Sequence, residues 1–391
     1  MWNEDADDLE ERLDQALQCF QSADYLSAEK IIHKIFLEEK LSERLDASLL
    51  SKAYWLRAQL LIQNRNFKQA AEDYRQSLKI EEKISGKQSL DFLSMLRELG
   101  VLHFHWTGNY LLSRQILEEA ESLCLELIQK NQNEALLIFE TYSDVACTLG
   151  DLYDDLADHE KANRQFLSQA VYFKKMGTKM ESFLLRPYLR IAQILAQKKM
   201  KSEMESCLNE AFALLDASKT TLLFFEALCV SADCYRKCHE MKEAEMSLQT
   251  AEQLLARDED LMDSDVYIEF LRVQSLFHLR KQNSVLAEKS FILAVEKVRS
   301  IMGEKSLTEA MFYFEWAECL KDQHSQYHAE VENAYWQALD IIEKGFSENH
   351  PKQLRILKPY IEYLRKHKKF LQALALEERS NFLQSVAHGV Q

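Results

Sequence analysis

Small and aromatic side chains recur along this chain at helical spacing. Tyr54, Ala58 and Leu61 fall on one stripe at i, i+4 and i+7, the pattern of a helix with one buried face. After a short turn, Ala70, Tyr74 and Leu78 form a second stripe. The same pairing of helices returns at an interval of about 42 residues, as expected of stacked units that share one core. Ala70, Ala162, Ala244, Ala287 and Ala373 each open the second helix of a pair, with an aromatic residue or leucine about one turn later.

Other copies use different letters. One has Leu149, Gly150, Tyr153, Ala162 and Phe166; another has Ala192, Leu195, Leu208 and Ala211. Ala232, Tyr235, Ala244, Leu248 and Ala251 form a clean copy, and Ser275, His278, Ala287, Phe291 and Ala294 form the next. Phe92 to Leu123 fits with one extra residue in its turn, using Gly100, Gly108, Tyr110 and Ala120, and Ala317 to Ala338 fits with about two extra. Ends are weaker (Ala16, Tyr25, Ala28, Ile32; Ile361, Phe370, Ala373), as capping repeats are. The pattern predicts an all-α fold, a right-handed superhelical solenoid of about nine helix–turn–helix pairs spanning residues 1–391 as a single domain. Within it, 1–46 is expected to form an N-terminal capping pair, 47–345 the core repeats, and 346–391 the C-terminal capping pair and tail.

Composition supports this picture. Hydrophobic residues make up 47% of the chain, enough for a large core, while 8 Gly and 3 Pro leave few interruptions for strands and their turns. A formal charge of −15 argues against general nucleic-acid affinity, and no apolar run is long enough to span a membrane. The acidic start, Asn3-Glu4-Asp5-Ala6-Asp7-Asp8, lacks the order of a secretory signal, so a cytoplasmic protein is expected. Eight scattered cysteines read as reduced packing thiols.

These residues resemble the tetratricopeptide repeat, which places small and aromatic residues at such offsets. Three linkers sharpen the likeness: Ile84-Ser85-Gly86-Lys87-Gln88-Ser89-Leu90, its near copy Ile301-Met302-Gly303-Glu304-Lys305-Ser306-Leu307, and the variant Gly345-Phe346-Ser347-Glu348-Asn349-His350-Pro351. A glycine ending one helix and a cap opening the next resembles the long repeats of the kinesin-light-chain class. That class commonly carries an asparagine two residues before the small residue of the inner helix, where it holds a peptide backbone. Here those places are Leu56, Thr148, Arg190, Val230 and Val273, so the likeness does not carry the cargo recognition of that class.

In such an array the first helix of each pair lines the concave face. The register places Lys52, Trp55, Gln59 and Gln63 there, followed by His105 and Trp106, then Asp144, Asp151, Asp154 and Asp155. Arg186, Gln193 and Gln197 come next, then Asp233, Arg236 and Lys237, and finally Arg272 and Arg280. This predicts a groove with an aromatic first part, an acidic centre and a mixed to basic end. A partner with a basic segment would match the stretch from Asp144 to Asp158. Lys352 to Lys369, with Arg355, Lys358, Arg365, Lys366 and Lys368 against Glu362, could dock an acidic partner; as a capping face it is simply solvated.

Catalytic constellations are not found in the sequence. Cys229, Cys234, Cys238 and His239 lack paired zinc spacing, and His239-Glu240 is followed by Glu243 where a zinc protease needs histidine. His103 and His105 point to different sides of a helix, and no phosphate-cradling glycine loop occurs. No cofactor and no metal are expected. The leading expectation is a non-enzymatic adaptor binding a peptide or partner helix in its groove. Length and array also resemble the Rap-type bacterial regulators, a likeness that implies response-regulator dephosphorylation by an N-terminal glutamine. Gln15, Gln18 and Gln21 are the candidates. Self-association through the solenoid ends is a third expectation. The first pair begins within about ten residues of Met1, so no DNA-binding head is expected ahead of it.

Overall fold

The hairpin turns repeat as faithfully as the helices. At six of them the helix ends in a residue with positive φ, namely Ala23, Arg65, Lys199, His239, Gln282 and Lys368, all between 56° and 66°. The following residue donates its N–H to a carbonyl five residues back, as Asn66 does to Leu61 O at 2.8 Å and Asn283 to His278 O at 2.9 Å. This is the Schellman closure, which satisfies carbonyls that a helix end leaves open. Asn66 and Asn283 then cap the next helix, their side chains accepting from the N–H groups of Gln69 and Leu286.

The computed structural model describes residues 4–37, 47–130, 135–156, 158–176, 183–215, 221–321, 327–346 and 348–388. Among these there is no strand, and the α-helices follow one another in pairs. The first pairs are α1 (Glu4–Gln21) with α2 (Tyr25–Leu37), α3 (Ala47–Gln63) with α4 (Phe67–Ile84), and α5 (Leu90–Leu102) with α6 (Tyr110–Lys130). Then come α7 (Ala135–Asp155) with α8 (His159–Met176), α9 (Leu185–Gln197) with α10 (Lys201–Ala213), and α11 (Thr221–Lys237) with α12 (Met241–Leu255). The last are α13 (Asp265–Arg280) with α14 (Ser284–Met302), α15 (Leu307–Lys321) with α16 (His328–Gly345), and α17 (Gln353–Lys366) with α18 (Phe370–His388).

The chain packs as two units, residues 1–148 and 149–391. In the first, α1, α2 and α3 share a core around Leu13, Ala16, Ala28, Ile32 and Leu56, so α1 is the first helix of the array itself. Ala58 and Ala70 are fully buried where α3 meets α4. The extra residue between α5 and α6 is absorbed by one π-helical turn, His103–Thr107, closed by Gly108 at φ 68°. In the second unit, two cores run along α11–α14 and α15–α18. Gly150 faces Phe166 so closely that a Cβ there would lie 2.3 Å from Cζ of the ring.

The linker reading holds at two of its three sites. Gly86 and Gly303 have φ of 76° and 79° and end their helices, while Ser89 and Ser306 cap the next, accepting from Phe92 N and Glu309 N. Gly345 departs from it: it is the last residue of α16, and Phe346 forms the cap. Two extra residues were expected between Ala317 and Ala338; part of that turn, 322–326, lies outside the described residues, as does the whole 38–46 boundary.

Candidate functional site

In the first unit Lys52 and Trp55, two of the expected groove residues, line a cavity of about 260 Å³ between α1, α3 and α5. Leu13, Leu17, Trp55 and Met95 supply its apolar wall, and Lys52, Asp14 and Asp91 its charges. Trp55 is held from behind: its Nε1 donates to Oε2 of Glu98 at 2.7 Å. The same oxygen accepts from Gln59 Nε2 at 2.5 Å and from the Tyr74 hydroxyl at 2.9 Å. Burial, with Glu98 adding to it, raises the Tyr74 hydroxyl far above its usual range, so Tyr74 remains a donor. His105 and Trp106 do not join this wall. Both lie on the π-helical turn, where the half-buried His105 ring packs on Phe104 and Trp106 stacks on Phe67 at 5.3 Å.

The acidic centre is not a free acidic face, because its carboxylates are matched within the chain. Arg97 Nη1 donates to Asp144 at 2.7 Å, and Arg190 Nε donates to Asp151 at 2.8 Å. Asp154 pairs with His159 Nδ1 at 2.8 Å, and Asp158 caps α8 by accepting from Lys161 N. Asp155, only 5% exposed, is held by Lys352 Nζ at 2.5 Å and Arg355 Nη1 at 3.5 Å.

The basic end departs from expectation more sharply. Asp233 is buried on α11 with Arg236 Nη2 and Lys237 Nζ each at 2.6 Å and Arg272 Nη2 at 3.4 Å. Arg272 also pairs with Glu269 and with Glu315. Burial opposes the charge of Asp233, yet Lys237, Arg236 and Arg272 hold its carboxyl well below the usual range. Arg236 and Arg272 were expected on an open face; they are instead buried, because α11, α13 and α15 approach closely enough for Arg236 Nη1 to reach Cys319 Sγ at 3.5 Å.

An open site does remain in the second unit, a cavity of about 370 Å³ between α7, α9, α11 and α13. Arg186, Arg190 and Gln193 of α9 line it, with Glu226 of α11 and Asp265 and Glu269 of α13. Arg190 Nη1 donates to Gln193 Oε1 at 2.8 Å, which fixes both on the wall. Burial raises the Glu226 carboxyl, Arg186 works against that, and Glu269 adds to it. Glu226 and Glu269 were not among the expected residues, though their signal was present. Lys52, Asp144, Arg186, Glu226 and Glu269 all stand one turn before Leu56, Thr148, Arg190, Val230 and Val273, so these five copies carry a charge in that register.

Among the described residues no group of three or more His, Cys, Asp or Glu is placed to hold a metal ion. None of the eight cysteines is in a disulfide, and burial pushes Cys124 up to about 12 and Cys229 and Cys234 well above their ordinary value, which disfavours thiolate chemistry there. Gln15, Gln18 and Gln21 are exposed on α1, where Gln15 donates to Glu11 at 3.3 Å. No described helix is long and apolar enough to cross a membrane.

A sequence model of the tetratricopeptide repeat matches residues 51–84, the α3–α4 pair. The repeats are of the tetratricopeptide type. Solved structures extend the likeness over nearly the whole chain. NprR in complex with its cognate peptide NprX has a TM-score of 0.54 at 15% identity, covering 96% of this chain and 99% of that one. A Rap protein complexed with competence and sporulation factor also has a TM-score of 0.54, at 13% identity over 98% and 99%. The apo quorum sensor NprR from B. thuringiensis has 0.50 at 14% identity over 96% and 99%. At such identities the likeness establishes the helical repeat fold. No curated protein matches the sequence.

Proposed function

We propose that this chain is a non-enzymatic scaffold that binds a peptide or partner segment along the inner helices of residues 149–391. The observation that carries the reading is the cavity between α7, α9, α11 and α13, where successive inner helices present Arg186, Glu226 and Glu269 at one register. Adjacent helix axes lie about 8–10 Å apart, roughly the length of three extended residues. The fitting ligand therefore carries a carboxylate and a basic group about three residues apart, which would compete for Arg186 and Glu226 with the interactions those side chains already make. That two structures of similar fold hold a cognate peptide and a competence and sporulation factor supports a peptide ligand.

The test is selection of binders from a random peptide display on the full chain, followed by titration against Arg186→Glu and Glu226→Lys. Selected peptides should show the charge spacing and lose roughly tenfold or more in affinity to either variant. Peptides that bind both variants as tightly as the native chain would remove the cavity from the reading.

Self-association has an observation of its own. The outer face of α18 exposes Phe370, Leu371, Leu374 and Phe382, with Leu371 at 86%. A single-chain mass by sedimentation at the highest soluble concentration would exclude it.

A further inference from the structure

We propose that Asp155, Lys352 and Arg355 form an electrostatic clasp that closes the inner helices of residues 149–391 on themselves. The contact joins positions 197 and 200 residues apart, the last turn of α7 and the start of α17. Between them the inner helices touch in sequence. Arg190 of α9 reaches Asp151 of α7, α9 packs on α11, and Arg272 of α13 bridges Asp233 of α11 and Glu315 of α15. With α15 against α17, the Asp155 contact completes a closed circuit.

Both sides of the clasp are held in place. Gln353 Nε2 donates to Glu348 O at 2.7 Å, and His350, fully buried, accepts the Lys352 N–H on Nδ1 at 3.2 Å. The start of α17 is thereby set with Lys352 aimed at α7. A carboxylate near a helix N-terminus also gains from the helix dipole. On the other side, Asp151 stands one turn before Asp155 and holds Arg190 on the cavity wall. Clasp and cavity thus share the last two turns of α7.

The successive repeats are joined by apolar cores, whereas the Asp155 contact between α7 and α17 is ionic. Removing the charge should therefore part the start of α17 from the end of α7, while α17 and α18 keep their apolar core with α15 and α16 and the pairs between stay folded. Breaking one partner of a buried ion pair leaves its counter-ion uncompensated, which makes the closed state costly.

Hydrogen exchange on the full chain tests this, comparing the native protein, Asp155→Lys, and the charge-swapped Asp155→Lys/Lys352→Asp/Arg355→Asp. Asp155→Lys should exchange roughly tenfold faster at the end of α7 and the start of α17 with α11–α13 unchanged, and the swapped variant should return to native rates. Native exchange in Asp155→Lys, or no recovery in the swapped variant, would overturn the clasp. If Asp155→Lys loses helicity by circular dichroism, Asp155→Asn, close in shape and without charge, takes its place under the same two outcomes.

Discussion

Trp55 and Glu98 lie one repeat apart and are joined by a 2.7 Å hydrogen bond from the indole Nε1 to Oε2. Because Gln59 and Tyr74 donate to the same oxygen, a single carboxylate fixes side chains of α3 and α4 against α5. Glu98→Leu would leave three donors without their acceptor in a half-buried position. Stability of the first unit should fall by at least about 2 kcal/mol, read as faster hydrogen exchange in α3 and α5. Unchanged exchange there would mean that water replaces the carboxylate at little cost.

The hairpin turns predict a different response. Gln282 closes the α13–α14 turn at φ 60°, a conformation that a β-branched side chain resists and glycine accepts. Gln282→Gly should be at least as stable as the native chain, and Gln282→Val less stable than the glycine variant by about 1–2 kcal/mol in urea melts.

Those turns also show what was legible in the sequence and what was not. Helix pairs, small-residue contacts and the Gly86 and Gly303 caps could be read because a 3.6-residue period and a required φ leave marks in residue type. The six Schellman turns use Ala, Arg, Lys, His and Gln, so the low glycine count concealed them. The groove was legible as a register but not as an exposure. Lys52, Trp55, Asp151, Arg186 and Gln193 line cavities, whereas Asp155, Arg236 and Arg272 are covered by helices up to 200 residues away. Sequence period fixes which side of a helix a residue occupies; how tightly successive pairs wind decides whether that side meets solvent.

Close packing supplies a third prediction. Gly150 of α7 lies against Phe166 of α8 with no room for a side chain. Gly150→Val gains helix propensity of a few tenths of a kcal/mol, far less than the roughly 1–3 kcal/mol of overpacking it introduces. Thermal unfolding should shift down; an unchanged melting temperature would mean the Phe166 ring relaxes freely.

His103 makes stability depend on pH. It is buried on the π-helical turn, and burial first and Arg75 second lower it from 6.5 to about 4. Arg75 donates to its Nε2, so Nδ1 carries the proton and donates to Thr107 Oγ1 at 3.0 Å. The ring is neutral when folded, whereas the unfolded chain takes a proton below about 6.5. Its contribution is therefore complete above pH 6.5 and is lost as pH falls toward 4, on the order of 2–3 kcal/mol in all. His103→Gln should flatten that part of the stability profile, measured by urea melts between pH 7 and 4.

Arg272 gives the largest expected loss. It is 8% exposed, pairs with Glu269 and Glu315, and lies 3.4 Å from Asp233. Arg272→Met keeps most of the packing volume but leaves Asp233 with Arg236 and Lys237 and strips Glu315 of its principal cation. Removing one partner of a buried pair commonly costs about 3–5 kcal/mol, most of it the desolvation of the charge left behind. Arg272→Met/Glu315→Met removes the stranded carboxylate as well, so the double variant should recover a substantial part of that loss in urea melts. A double variant no more stable than Arg272→Met would place the cost in packing between α13 and α15 rather than in the uncompensated charge.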